Sequence, residues 1–169
     1  KDPRIISSTS SYGDEKSASY MIASNGFEGE RTSSAYTLFA STRIKGDGDA
    51  QPESYWYESS LFYDSLIKDG IGTKALERAI QKLGQKKVAS GKYTMVVDNM
   101  NSSRVLSPVI GAIYCSSIQQ KNSFLLDNLN QKVIGDKVTV TDEPHMQKAR
   151  GARYFDGEGV ATQRLPVSE

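Results

Sequence analysis

The sequence is poor in the side chains that most often bind catalytic zinc, because its 169 residues include one histidine, His145, and one cysteine, Cys115. A hydrolytic zinc site takes about three protein ligands, usually with two histidines among them. A two-histidine zinc motif within this chain is therefore excluded. The lone cysteine also excludes an internal disulfide and is typical of a reducing compartment, which predicts a cytoplasmic location.

Long apolar runs and an excess of either charge are also missing. No run approaches the roughly 18 residues of a membrane-spanning helix, and the first 13 residues have no apolar signal core, which predicts a soluble protein. Lys and Arg total 21 against 20 Asp and Glu. The one basic stretch, Lys82–Lys92, has no interleaved aromatic residues, so a nucleic-acid partner is not expected. The absence of an initiator methionine and the ending in "RLPVSE" suggest a piece of a longer protein, or processed ends.

The first half of the sequence predicts an antiparallel meander followed by a helix. Residues 17–30 carry a strand-like stretch followed by the turn pair Asn25-Gly26, and further strand-like stretches occur at 33–44 and 53–62, separated by a second turn at 45–49. Residues 72–83 carry an apolar stripe with a 3.6-residue period, and Gly84 follows as a stop signal. These elements define an α+β domain that we place at residues 1–90.

The second half predicts a buried strand at 92–99 and a second helical stretch over 105–114. Pro108 lies inside this stretch, so the helix either kinks there or begins at Ser107 as its N-cap. A turn-rich segment at 122–135 precedes strands at 136–144 and 160–167. We therefore expect residues 91–169 to begin a second, β-rich domain, and two helices in the chain as a whole.

Most apparent catalytic motifs have a simpler structural explanation. Cys115 with His145 is the only possible cysteine dyad, but the apolar surroundings of Cys115 favour an inert thiol. The sequence "GIGTKA" at 70–75 matches a dinucleotide-binding pattern, but the preceding residues are polar rather than a buried strand, so we interpret it as a helix entrance. A lone loop histidine such as His145 is more often a surface hydrogen-bonding residue than a catalyst, although it could change charge near neutral pH.

The acidic pair Asp156 and Glu158 in "YFDGEGVATQ" leaves three possibilities open. The pair could hold a divalent cation, as could Asp47 with Asp49, but neither set matches the EF-hand loop. It could act as a general acid and base. Asp before Gly most often accepts backbone N–H bonds in a turn, and this structural interpretation is favoured.

Several motifs in the same order resemble the TldD/PmbA family, known as "modulator of DNA gyrase" and understood as a two-subunit metalloprotease system. The motifs are "SNGFEG" at 24–29, "GIGTKALERAIQKLGQKKVASGKY" at 70–93, "VVDN" at 96–99, "SFLLD" at 123–127, residues 138–142, Pro144-His145, and residues 155–160 with Thr162. The resemblance spans nearly the whole chain. Because full-length members are much longer, the chain resembles an internal fragment, comprising the end of an N-terminal domain and the start of a C-terminal one.

The resemblance implies the PmbA/TldE branch. In the TldD branch a helix carries an H-E-x-x-x-H zinc motif, and the surrounding motifs place that helix at Arg104–Ile118, where this sequence has neither His nor Glu. The implied role is a non-catalytic, zinc-free subunit that pairs with a zinc-bearing TldD-like subunit, or with itself, and helps bind an extended peptide. The family roles are peptide-antibiotic maturation and antitoxin degradation. The alternative is a non-proteolytic regulatory module acting on DNA gyrase or on a toxin–antitoxin pair.

The resemblance gives no catalytic or metal-binding residue in this chain. It marks six residues as family-motif positions that could contact a peptide: Ser123, Phe124, Asp127, His145, Asp156 and Glu158. It leaves the substrate and the partner's identity open.

Overall fold

The computed structural model describes residues 2–128, 131–133, 135 and 137–168 and divides into two compact units. The first unit contains residues 1–87 and 142–165, and the second contains 88–141 and 166–169. Among the described residues, no helix has the length and apolarity needed to cross a bilayer. The α+β class with an antiparallel three-stranded sheet is confirmed.

The first unit is built on an antiparallel sheet of three strands in the order β1-β2-β3. These strands are β1 (Ile5–Ile22), β2 (Glu28–Ile44) and β3 (Glu53–Ser60). β3 pairs only with Tyr36–Arg43 of β2, so β1 and β2 continue past it as a two-stranded ribbon. The predicted turn closes this ribbon, with Gly26 at a φ of 88°, a value that glycine adopts without strain.

Helix α1 (Ile71–Ile80) covers one stretch of the sheet and forms the core of this unit. Ala75 and Ala79 are fully buried, as the predicted stripe requires, and Ala75 packs with Ala40 of β2 beside Leu38 and Trp56. Small side chains on both elements allow the helix and sheet to approach closely. The helix ends three residues before the predicted Leu83, in a turn that reaches Gly84 at a φ of 70°.

The second unit contains α2 (Asn99–Ile113), α3 (Cys115–Gln119) and a run of turns. Asp98 caps α2 by accepting the Met100 amide at 2.9 Å, so the helix begins well before Ser107 and passes through Pro108. The possibility that Ser107 is its N-cap is therefore wrong. Tyr114, with a ψ of 134°, separates α2 from α3, so a third helix, which was not predicted, follows the second predicted helical stretch.

The prediction of a buried strand at 92–99 is wrong. These residues form no strand, and Met95 and Val96 are 72% and 93% exposed. An apolar run becomes a strand only if another strand supplies hydrogen-bonding partners, and none pairs with it in the part of the chain that the structure describes.

The C-terminal strands are shorter than predicted. Strand β4 is Val140–Asp142 and pairs with β5, Leu165–Ser168, which begins five residues later than predicted. The segment 123–128 is turn-rich as expected. Residues 129, 130 and 134 of the predicted turn segment, and 136 of the predicted strand, lie outside the described residues.

Candidate functional site

The tip of the β1–β2 ribbon and the acidic loop meet within the first unit, although they are far apart in the sequence. The rings of Phe27 and Phe155 pack edge to face, with centroids 5.0 Å apart and planes at 62°. Gly159, at a φ of 80°, lies so close that an added Cβ would be 2.7 Å from Cδ1 of Phe27. An added Cβ on Gly29 would be 2.7 Å from Cζ of the same ring. The two family-like motifs "SNGFEG" and "FDGEGV" therefore form one packed junction.

Asp156 organises the acidic loop through its carboxylate. Its Oδ1 accepts the amides of Glu158 and Val160, both at 2.9 Å. The Asp156 amide in turn donates to the Val160 carbonyl at 2.9 Å, and Phe155 and Ala161 form an antiparallel bridge. These bonds close a small hairpin and support the structural-turn interpretation.

The same bonds perturb the ionisation of Asp156. The amides of Val160 and then Glu158 hold the pKa of this carboxyl below its usual value because they stabilise the charged form. A general acid or base works best with a pKa near the operating pH. The pKa of Asp156 is instead shifted downward, further from neutral pH, so the geometry does not favour a role in proton transfer.

His145 is exposed and held by two contacts. Its ring stacks on Tyr154 with centroids 5.7 Å apart, and its Nε2 is 3.2 Å from Oγ1 of Thr162. The Thr162 hydroxyl donates its only proton to the Arg153 carbonyl at 2.6 Å. His145 Nε2–H must therefore be the donor to Thr162, which fixes the tautomer of the neutral ring.

The remaining predicted residues lie in the second unit, in the turn after α3. Ser123 is buried, donates from Oγ to the Ala112 carbonyl at 2.7 Å and accepts the Leu125 amide at 3.0 Å. Phe124 is 66% exposed, and Asp127 is exposed at a φ of 67°. Ser123 thus ties the turn to α2, whereas Phe124 and Asp127 face solvent.

The predicted residues fall into two groups. His145, Asp156 and Glu158 share the loop of the first unit, and Ser123, Phe124 and Asp127 share the turn of the second. Sequence reasoning did not predict that Phe27 and Gly29 join the first group. The available signal was a phenylalanine accompanied by two glycines in both motifs, since glycine often marks a close approach of the backbone.

The donor set does not fit a catalytic zinc site within this chain. Helix α2 from Arg104 to Ile113 has no His, Asp, Glu or Cys side chain, and the one cysteine is exposed at the first residue of α3. Among the described residues, no three His, Cys, Asp or Glu side chains gather closely enough to hold a metal. A zinc-hydrolase centre needs about three such ligands.

Comparison with known proteins identifies the family. Residues 1–83 match the model of the PmbA/TldA metallopeptidase central domain, and residues 90–169 match the model of its C-terminal domain. The chain belongs to the PmbA/TldD family. Similar curated proteins include the metalloprotease PmbA homolog of Haemophilus influenzae, 29% identical over 170 residues, which cover 99% of this chain and 38% of the relative.

Two solved structures of the family have the same fold. A proposed modulator of DNA gyrase from Bacteroides thetaiotaomicron is 62% identical with a TM-score of 0.95, covering 100% of this chain and 39% of the other. A second, from Thermotoga maritima, is 27% identical with a TM-score of 0.90, covering 99% and 39%. The chain therefore spans about two fifths of the length of these relatives.

Proposed function

We propose that this chain is part of a PmbA/TldE-type subunit that holds no catalytic zinc and assists peptide cleavage by a zinc-bearing TldD-type partner in the cytoplasm. The observation that carries the proposal is the chemistry of α2. The family resemblance expects the zinc ligands between Arg104 and Ile118, a stretch that has no His or Glu. The part of this stretch that lies in α2, Arg104 to Ile113, has no side chain suited to coordinate the metal. Catalysis would then come from the partner, and this subunit would contribute to substrate binding.

Strand β1 is the surface best suited to bind an extended peptide. It is 18 residues long, exposed along almost its whole length, and pairs on one side with β2. An open strand edge presents unpaired N–H and C=O groups that can pair with an added strand. Serines and charged residues between Ser7 and Ser19 keep this edge polar, so main-chain bonds rather than apolar pockets would provide most of the affinity.

The test mixes the purified protein with a TldD-type partner and follows cleavage of an unfolded peptide substrate. We expect little cleavage and no stoichiometric zinc in this protein alone, and faster cleavage in the complex. Amide hydrogen exchange adds a local readout, since a peptide added to β1 should slow exchange in Ile5–Ile22. Stoichiometric zinc with proteolysis by the single chain, or an equally active partner that forms no complex, would overturn the proposal.

A second candidate function is non-proteolytic binding to DNA gyrase or to a toxin–antitoxin pair. The observation that favours it is the description of the 62%-identical relative as a proposed modulator of DNA gyrase. A pull-down with purified gyrase subunits tests this directly. A direct complex that forms without a TldD-type partner supports it, and no contact with gyrase or with a toxin–antitoxin pair removes it.

A further inference from the structure

A pocket of about 320 Å³ lies in the first unit, and none of its lining residues belongs to the packed junction of the ribbon tip and the acidic loop. The end of β3 and the residues after it form one wall, and Lys148 and Arg150 contribute the other. Neither the proposed strand addition nor the acidic loop uses this pocket. Its volume is at the lower end of the range for small-ligand sites, about 300–1,000 Å³.

Its positive charges have no described counter-ion. Lys148 and Arg150 are both exposed, and neither forms an ion pair or side-chain hydrogen bond within the described ranges. The carboxylate of Glu58, at the same end of β3, is already bound by Trp56 Nε1 at 2.8 Å and Lys74 Nζ at 3.1 Å. The two cations are therefore available to an anion from solution.

The opposite wall supplies hydroxyl donors and an apolar surface. Ser60 Oγ accepts the Phe62 amide at 3.1 Å, which leaves the hydroxyl proton free to donate. Ser65 adds a second hydroxyl, and Leu61 and Phe62 add carbon surface, with Phe62 51% exposed. The Ser34 hydroxyl fixes this wall by donating to the Leu61 carbonyl at 2.7 Å.

The backbone at the cationic wall is held in an uncommon conformation. Lys148 has a φ of 59°, in the left-handed region that residues other than glycine seldom occupy. Such conformations concentrate at ligand-binding segments.

We propose that this pocket binds an oxyanion, with Arg150 and Lys148 pairing with its oxygens, the serines donating to it, and Leu61 and Phe62 contacting an attached apolar group. Arginine binds carboxylate and phosphate through a planar pair of N–H donors, and lysine adds a point charge. The carboxylate of a peptide C-terminus beside an apolar last side chain has this chemistry, and so does free phosphate. A peptide C-terminus as the ligand rests on the proposed function, whereas phosphate as the ligand does not.

The experiment titrates the ¹⁵N-labelled protein and follows its amide resonances by NMR. The probes are N-acetylated Ala-Ala-Ala-Leu with a free C-terminus, the same peptide with a C-terminal amide, and sodium phosphate at constant ionic strength. The test variant is K148Q/R150Q, which removes two positive charges. The matched control is K86Q/K87Q, which removes two charges at exposed residues outside the pocket. Thermal unfolding of both variants shows whether each retains its fold.

The free-acid peptide should shift resonances at 59–65 and 148–150 and bind about tenfold more tightly than the amide, because charge-assisted hydrogen bonds are lost with the carboxylate. K148Q/R150Q should remove this preference, and K86Q/K87Q should keep it. Binding of phosphate without either peptide supports the oxyanion site and counts against peptide as its ligand. Equal binding of both peptides at β1, with no response at the pocket to any probe, overturns the pocket proposal while leaving peptide binding intact.

Discussion

The most direct test of the junction between the ribbon tip and the acidic loop is Gly159→Ala. The new methyl group would lie 2.7 Å from Cδ1 of Phe27, on a backbone with a φ of 80°. A left-handed conformation costs a non-glycine residue about 1–2 kcal/mol, and overpacking costs about 1–3 kcal/mol. Together they predict a loss of about 2–5 kcal/mol from the free energy of unfolding, a large share of the roughly 5–15 kcal/mol of a typical domain.

Three other glycines separate the two contributions. Gly26 has a φ of 88° with nothing within 4 Å, Gly29 has the close ring contact without a positive φ, and Gly157 has neither. Alanine should therefore cost about 1–2 kcal/mol at Gly26 through strain alone and about 1–3 kcal/mol at Gly29 through overpacking alone. At Gly157 it should be nearly neutral.

The assay is urea unfolding followed by tryptophan fluorescence. The single tryptophan, Trp56, packs against the core of the first unit, so its emission reports the unit that contains the junction. If the loop opens before the unit unfolds, the loss in the free energy of global unfolding cannot exceed the free energy of that opening. Amide exchange at Val160 then measures the local loss. Equal midpoints and equal exchange for Gly159→Ala and Gly157→Ala would refute the close packing of the junction.

Three further predictions concern individual contacts. A double-mutant cycle of Phe27→Ala and Phe155→Ala should give a coupling of about 0.5–1.5 kcal/mol, and a coupling near zero would contradict the observed ring contact. The folded-state pKa of Asp156 is lowered, so the ionised carboxylate stabilises the fold above the unfolded pKa, about 3.9, and this stabilisation is lost as pH falls through the folded value. Asp156→Asn should therefore flatten the fall of the urea midpoint between about pH 5 and pH 2. An unchanged dependence of the midpoint on pH would count against this effect. Ser123→Ala should cost about 1–3 kcal/mol in thermal unfolding followed by circular dichroism, because a buried carbonyl and a part-buried amide lose their partner. Ser103→Ala, at an exposed position, should have little effect, and equal costs for the two variants would contradict the buried role of Ser123.

Local signals in the sequence were enough to predict the sheet and α1. Asn25-Gly26 between alternating stretches indicated the ribbon turn, and the apolar stripe around Ala75 indicated the helix face that is buried. The length of β1 was not predictable from apolar alternation, because most of this strand is rich in serine and exposed on both faces. Its strand conformation depends on backbone pairing with β2 rather than on burial.

The strand predicted at 92–99 is wrong because it included Asp98, a polar helix-capping residue that directly follows an apolar run. Asp98 caps α2, yet it stood at the end of a segment predicted as a strand, since Val96 and Val97 dominate the local pattern. Aspartate is among the preferred N-cap residues, so the helix start was available from the sequence. The meeting of Phe27 with Phe155 was not, because no local pattern relates two turns so far apart in the chain.

Whether a reactive side chain serves the fold or a ligand depends on which of its polar atoms are already used. Asp156 gives one oxygen to two amides, Ser123 both donates and accepts, and His145 donates Nε2–H to Thr162. These are residues that sequence reasoning singled out, and each has bonds that stabilise its own loop. No motif in the sequence marks Lys148 and Arg150, yet both line a cavity and have no described partners. Since an unpaired cation beside hydroxyl donors loses little when it binds an anion, these two residues, rather than the acidic loop, are where we expect the first unit to bind a small charged group.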